Sequence, residues 1–273
     1  MTHRALSTGV RLATLEAGEG GRPLLLVHGF TGAKEDFGDW VAPFADAGWW
    51  VVAPDLRGHG ASDQPDEEHR YSLSILADDL LALAAELGWD RFALVGHSMG
   101  GMVAQDLVLR GEGPVERLVL MDTHHGPVEG LDRASVELAV GILRTEGLPA
   151  LLELIASLPP RPKAPSDERL RATREGYAAF ADAKAHRCSA AMYAAMGLEL
   201  AFRDDRLVEL ASLRVPTRVV VGAEDRDFVA AAHRMAEKIP GADLVVIPEA
   251  AHSPQFEAPD AWWTAVQGFL AEP

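Results

Sequence analysis

The sequence predicts an α/β protein with a doubly wound, mostly parallel sheet, and three observations carry that prediction. Short apolar runs recur along the chain, amphipathic helical patterns lie between them, and one long stretch breaks the alternation. The runs are Leu24 to Val27, Trp49 to Ala53, Phe92 to Val95, Arg117 to Met121, Thr217 to Val221 and Leu244 to Ile247. Each is nearly continuously apolar rather than alternating, as expected of strands covered by helices on both faces. Ahead of them, His3 to Ser7 and Val10 to Glu16 flank Thr8-Gly9 and predict an opening hairpin. Leu73, Leu76, Leu80, Leu83 and Leu87 form one apolar stripe with Ser72 as the helix cap. A last helix around Ala261 to Leu270 places Trp262, Val266 and Phe269 on one side. Strand and helix alternation then requires right-handed crossovers.

The alternation fails between about Thr123 and Leu207, where alanine-rich helical patterns surround the cluster Leu158-Pro159-Pro160-Arg161-Pro162. A helical insertion explains this better than an independent domain. The expected organisation is a core of residues 1–123 and 207–273 with a helical cap at 124–206.

Composition narrows the function. With 273 residues, 48% hydrophobic and 24% charged, the chain reads as an ordinary globular protein. Forty-one acids against 25 bases give a net charge of −16, which opposes phosphate backbones and anionic lipid. The expected partner is a small-molecule substrate, with neither nucleic acid nor membrane. Cys188 is the single cysteine, no Cys/His cluster offers a metal site, and no cofactor is expected. No secretory leader or spanning apolar stretch is read from the sequence, so the expected location is the cytoplasm.

Chemistry concentrates at Gly96-His97-Ser98-Met99-Gly100-Gly101, a G-x-S-x-G string directly after a buried run and before a helical pattern beginning near Met102. Such a strand–turn–helix elbow puts the serine at its tip, and Gly96 and Gly100 leave room for close backbone approach. The helix N-terminus there favours developing negative charge. A serine hydroxyl needs a base, and His252 follows the Leu244 to Ile247 run across the short stretch Pro248-Glu249-Ala250-Ala251. The base needs an acid. Asp225, in Gly222-Ala223-Glu224-Asp225, gives the order serine, acid, histidine, with Asp122 as a topologically feasible alternative. Glu224 and Asp227 read as solvated loop charges. The amides of Met99 and of Phe30, in His28-Gly29-Phe30-Thr31-Gly32, are the expected oxyanion donors. His28 and His97 read as backbone-orienting or packing residues beside the site. Candidate pocket residues are His28, Phe30, Met99, His124, Met192 and Met196, although Met192 and Met196 at i, i+4 spacing also suit a packed helix face.

These residues, together with Asp55-Leu56-Arg57-Gly58-His59-Gly60-Ala61-Ser62 and Ala251-His252, resemble the α/β-hydrolase superfamily over almost the whole chain. The resemblance implies an eight-stranded sheet with a helical lid over Ser98 and His252. It also implies that Asp55 and Arg57 brace a structural loop. The chain looks most like the compact esterase, enol-lactonase and C–C hydrolase branch. Haloalkane dehalogenases and soluble epoxide hydrolases attack with an aspartate where this chain has Ser98. The implied activity is a serine hydrolase for a small carboxylic ester or lactone. The same triad can instead cleave a C–C bond or eliminate, as in the menaquinone-pathway synthase, or serve a slow-turnover small-molecule receptor. For an anionic C–C substrate, Arg144, Arg161, Arg174, Arg187 and Arg203 of the insertion are the basic candidates.

Overall fold

A computed structural model describes residues 1–111, 113–159 and 162–272. The chain runs β1 (Thr2–Ala5), β2 (Arg11–Ala17), β3 (Arg22–Val27), α1 (Gly38–Asp46), β4 (Trp49–Pro54), α2 (Leu73–Glu86), β5 (Phe92–His97), α3 (Met99–Val108) and β6 (Val115–Met121). The helices α4 (Arg133–Thr145), α5 (Leu148–Ser157), α6 (Pro165–Thr173), α7 (Tyr177–Ala183), α8 (Ala190–Phe202) and α9 (Leu207–Leu210) follow. The chain closes with β7 (Thr217–Gly222), α10 (Arg226–Lys238), β8 (Asp243–Ile247), α11 (Pro254–Glu257) and α12 (Pro259–Leu270).

The eight strands form one sheet in the order β1-β2-β4-β3-β5-β6-β7-β8. The β1–β2 and β2–β4 pairs are antiparallel and the other five pairs parallel. The expected runs all lie in strands, and both sheet faces are covered because successive side chains feed opposite cores. Leu25 and Val27 join the cluster containing Leu76 and Leu80 of α2 and Met102 and Val103 of α3. Leu24 and Leu26 join the cluster containing Trp40 and Phe44 of α1 and Trp262 and Phe269 of α12. The Ser72 side chain accepts the Ile75 amide at 3.1 Å, the cap expected for α2.

Helix α3 begins at Met99, three residues before the expected start. The amides of Gly101 and Met102 donate to the Ser98 carbonyl at 2.9 and 3.3 Å, so the first turn forms directly on the elbow. Between β6 and β7 the described residues contain helices and no sheet strand; His59 and Cys188 make one isolated antiparallel bridge. Arg161 and Pro160 lie outside the described residues. The two ends of this helical stretch meet: the Arg206 amide donates to the His125 carbonyl at 2.9 Å, and the Val128 amide to the Leu200 carbonyl at 3.0 Å. Among the described residues no helix is long and apolar enough to cross a membrane.

Candidate active site

The β5–α3 elbow presents Ser98 with φ 53° and ψ −119°, a left-handed conformation that a serine rarely adopts. Its surroundings impose this turn. A side chain at Gly100 would meet the Val27 carbonyl oxygen at 2.5 Å and the His28 carbonyl oxygen at 2.6 Å, so only glycine lets α3 lie against the end of β3. The Ser98 amide donates to the Met121 carbonyl at 2.9 Å, and the Thr123 hydroxyl donates to the Ser98 carbonyl at 2.6 Å.

His252 lies between β8 and α11. Its Nδ1 is 2.7 Å from Asp225 Oδ2 and its Nε2 is 3.0 Å from Ser98 Oγ. An ionised carboxylate only accepts, so Nδ1 carries the hydrogen and Nε2 is left to accept from the serine hydroxyl. Burial works against the imidazolium, but the charge and hydrogen bond of Asp225 outweigh it and raise the His252 pKa above its ordinary value, with Glu257 adding to the effect.

The loop carrying His252 is held from several sides. His97 Nε2 donates to the His252 carbonyl at 2.7 Å. Glu257 Oε2 accepts the amides of Ala251 at 2.6 Å and Ser253 at 3.2 Å, one on each side of His252. Phe228 of α10 packs on the imidazole with ring centroids 4.6 Å apart. Trp40 of α1 donates through Nε1 to the Gln255 carbonyl at 3.1 Å.

The loop after β3 comes close to the serine because residue 29 is glycine: a Cβ there would lie 2.8 Å from Ser98 Cβ. Among the described residues, the amides of Phe30 and Met99 have no hydrogen-bond acceptor, although Met99 is fully buried. Two uncommitted amides next to Ser98 suit a developing oxyanion. His28 orients this loop. Its Nδ1 donates to the Gly29 carbonyl at 2.8 Å and its Nε2 accepts the Leu56 amide at 3.0 Å.

The loop after β4 braces the site, as expected. Buried Asp55 takes the Lys34 amide on Oδ1 at 2.8 Å, and on Oδ2 Lys34 Nζ at 2.8 Å and the Ala61 amide at 2.9 Å. Arg57 grips Asp79 of α2 through two bonds of 2.8 and 2.7 Å. Buried His59 is held neutral: burial, then the neighbouring His28, pushes its pKa down to about 3. Cys188 is no rival nucleophile, because burial, then Asp55, pushes its thiol up to about 12.

Several sequence candidates lie elsewhere. Met192 and Met196 are fully buried in the main apolar cluster, so they act as packed core rather than as exposed pocket wall. His124 and its neighbour His125 are both buried. His125 Nδ1 donates to Asp205 at 2.7 Å and its Nε2 accepts from Arg234 at 2.9 Å, while His124 Nδ1 accepts the Gly126 amide at 3.1 Å. Arg144 pairs with Glu68 at 2.7 Å, Arg174 with Asp39 at 2.7 Å and Arg187 with Glu35 at 3.8 Å. Glu224 is more than a solvated charge: it accepts the Ser166 amide of α6 at 2.8 Å. Sequence reasoning passed over Glu257, whose signal was its place five residues after His252 in the following helix. It also passed over Lys184, which reaches Asp36 in the loop beyond Phe30 at 2.6 Å. A groove of about 760 Å³ runs beside Asp225 and His252, walled by Tyr177 and Lys184 from the helical stretch between β6 and β7 and by Ser253 and Glu257 from beyond β8.

Fold and elbow together define a class. Residues 22–259 match the model of the α/β hydrolase fold family, and the chain belongs to that family as an enzyme of the α/β-hydrolase class. Its structure is similar to the enol-lactonase from Burkholderia xenovorans LB400, with a TM-score of 0.83 and 25% identity over 99% of this chain and 100% of that one. It is also similar to Est816, described as an N-acyl homoserine lactone degrading enzyme, with a TM-score of 0.76 and 30% identity over 98% of this chain and 100% of the other. Epoxide hydrolase A of Mycobacterium tuberculosis is 40% identical over 104 residues, which span 37% of this chain and 32% of that protein.

Proposed function

We propose that the protein is a serine hydrolase that cleaves a small carboxylic ester or lactone through an acyl-enzyme. The observation that carries this reading is the continuous chain from Ser98 Oγ to His252 Nε2 at 3.0 Å and from His252 Nδ1 to Asp225 at 2.7 Å. In the first step His252 takes the Ser98 proton as Oγ attacks the carbonyl carbon, and the Phe30 and Met99 amides receive the negative oxygen. His252 then gives its proton to the leaving alkoxide. Asp225 stabilises the transient imidazolium without taking its proton. In the second step His252 activates water against the acyl ester and returns the proton to Ser98. A lactone follows the same course, with its alcohol remaining attached to the acyl group until water releases the hydroxy acid.

Serine at the elbow favours acyl chemistry, and similarity to an enol-lactonase and to a lactone-degrading enzyme over nearly the full chain supports the ester and lactone class. In this reading the substrate is a small molecule and the helices between β6 and β7 form a cap over it, since Lys184 and Tyr177 wall the groove at His252. The test is hydrolysis of p-nitrophenyl acetate and butyrate and of a lactone panel by the wild type and by Ser98→Ala and Asp225→Asn. Turnover by the wild type, lost in folded Ser98→Ala and strongly reduced in Asp225→Asn, is the expected result. A folded Ser98→Ala enzyme with full activity sinks the mechanism, and a folded wild type inert to every ester and lactone sinks the substrate class.

A further inference from the structure

Behind the acid of the triad lies a second carboxyl group that the mechanism above does not use. Asp122 follows the last residue of β6 and is completely buried. Its backbone N–H donates to the Val220 carbonyl at 2.9 Å, and its Oδ1 accepts the Gly222 amide at 2.9 Å. Its Oδ2 is buried and receives no hydrogen from any donor among the described residues. What faces it is another acceptor: Asp122, Asp225 and His252 each bring a side-chain atom within 4.8 Å of the other two.

Two carboxyl groups in contact inside a protein do not both ionise, so one proton must remain between them. The surroundings decide which group holds it. Asp225 has the His252 N–H against its oxygen, a partner that favours the charged form. Asp122 has one backbone amide and, among the described residues, no lysine or arginine: the ionisable groups facing it are Asp225 from the β7–α10 loop, His252 from the β8–α11 loop and Glu257 from α11. Burial first, then the charge of Asp225, pushes Asp122 well above the usual carboxylate range.

We propose that Asp122 is a positioning residue for the triad: its carboxyl stays protonated and donates that proton in a hydrogen bond to the Asp225 carboxylate, fixing the orientation in which Asp225 meets His252 Nδ1. The buried Oδ2 without a donor is then the atom that itself carries the hydrogen. A short charge-assisted O–H···O bond holds a carboxylate more firmly than packing alone.

The kinetic arm of the test rests on the hydrolase reading, whereas the titration arm needs no substrate, so the two failures are distinguishable. Ring NMR of His252 is followed against pH in the wild type and in Asp122→Asn, which replaces a neutral acid by a neutral amide. The His252 midpoint is expected to stay in place. An ionised Asp122 would instead be a lost negative charge, lowering the midpoint by about 1–3 units, and that outcome overturns the proposal. Carboxyl-carbon NMR of the wild type probes the same proton without any variant: one buried aspartate keeps the signature of a neutral acid at pH 7, and its absence overturns the idea. Kinetically, Asp122→Ala is expected to lower kcat about ten- to a hundredfold with KM unchanged, through misorientation of the base. Asp122→Asn should restore most of that loss. Equal kcat in Asp122→Ala and the wild type rules out positioning.

Discussion

Replacing Lys34 by methionine tests the idea that a buried ion pair holds the loop after β3 in place. Lys34 Nζ lies 2.8 Å from Asp55 Oδ2, with side chains 1% and 0% exposed, and it also touches the rim residue Glu35 at 2.7 Å. Methionine matches the length of the lysine stem, so little cavity is created. The charge on Asp55 is the problem. It keeps the amides of residues 34 and 61 but loses its lysine partner, and removing one partner of a buried pair costs about 3–5 kcal/mol. At about 2–4 °C per kcal/mol for a chain of this size class, Tm should drop by roughly 6–20 °C. Urea unfolding at neutral pH measures the loss directly. In Asp55 the cost of burial is outweighed by the bonds from Ala61 and Lys34, which hold its pKa below 3.8. The contribution of such a depressed acid is present above its unfolded value and disappears as pH falls through the folded one, so the gap between wild type and Lys34→Met narrows in acid. The double variant Lys34→Met/Asp55→Asn, which leaves no lone ion, should be more stable than Lys34→Met alone. A loss below about 1 kcal/mol, the range of an exposed pair, would refute the reasoning.

Three further outcomes can be measured independently. Because the pKa of His252 is raised above 6.5 and catalysis needs the neutral ring, kcat/KM should climb with pH through a midpoint above 6.5 and then level off. The stability from the imidazolium–Asp225 pair runs the opposite way: it is fully present below the unfolded value and is lost as pH rises through the folded one. Gly100→Ala forces a Cβ to 2.5 Å from the Val27 carbonyl, so urea unfolding should show about 1–3 kcal/mol of destabilisation and an assay a fall in kcat as the elbow shifts. Ser72→Ala removes the cap on Ile75 and should cost about 0.5–2 kcal/mol in urea unfolding with no change in turnover.

The sheet was legible because its strands are buried on both faces, which leaves an unbroken apolar signature at Leu24 to Val27 and Phe92 to Val95. The elbow was legible because close backbone approach admits only glycine at a few fixed offsets from Ser98. Chain order alone pointed to Asp225 as the partner of His252, and Asp122, its rival, turned out to stand beside it. That contact joins residues 103 positions apart, and no local pattern encodes it. Directions of side chains on the helices between β6 and β7 were equally hidden. Met192 packs inward on Gly58 because of how α8 is rotated, and Arg144 reaches back to Glu68 across 76 positions. The early start of α3 escaped because Gly100 and Gly101 in its first turn have weak helical preference and form that turn only on the strained serine.

The meeting at His125 and Arg206 of the two ends of the helical stretch between β6 and β7 bears on how this protein can change over generations. The stretch between those ends is tied to its surroundings at a few further points, since Lys184 reaches Asp36, Ser166 reaches Glu224 and Arg144 reaches Glu68. Closing a longer loop adds only about 0.6 kcal/mol for each doubling of its length. Insertions and deletions that fall between those ties can therefore reshape the wall around the groove while Ser98, Asp225 and His252 keep their places.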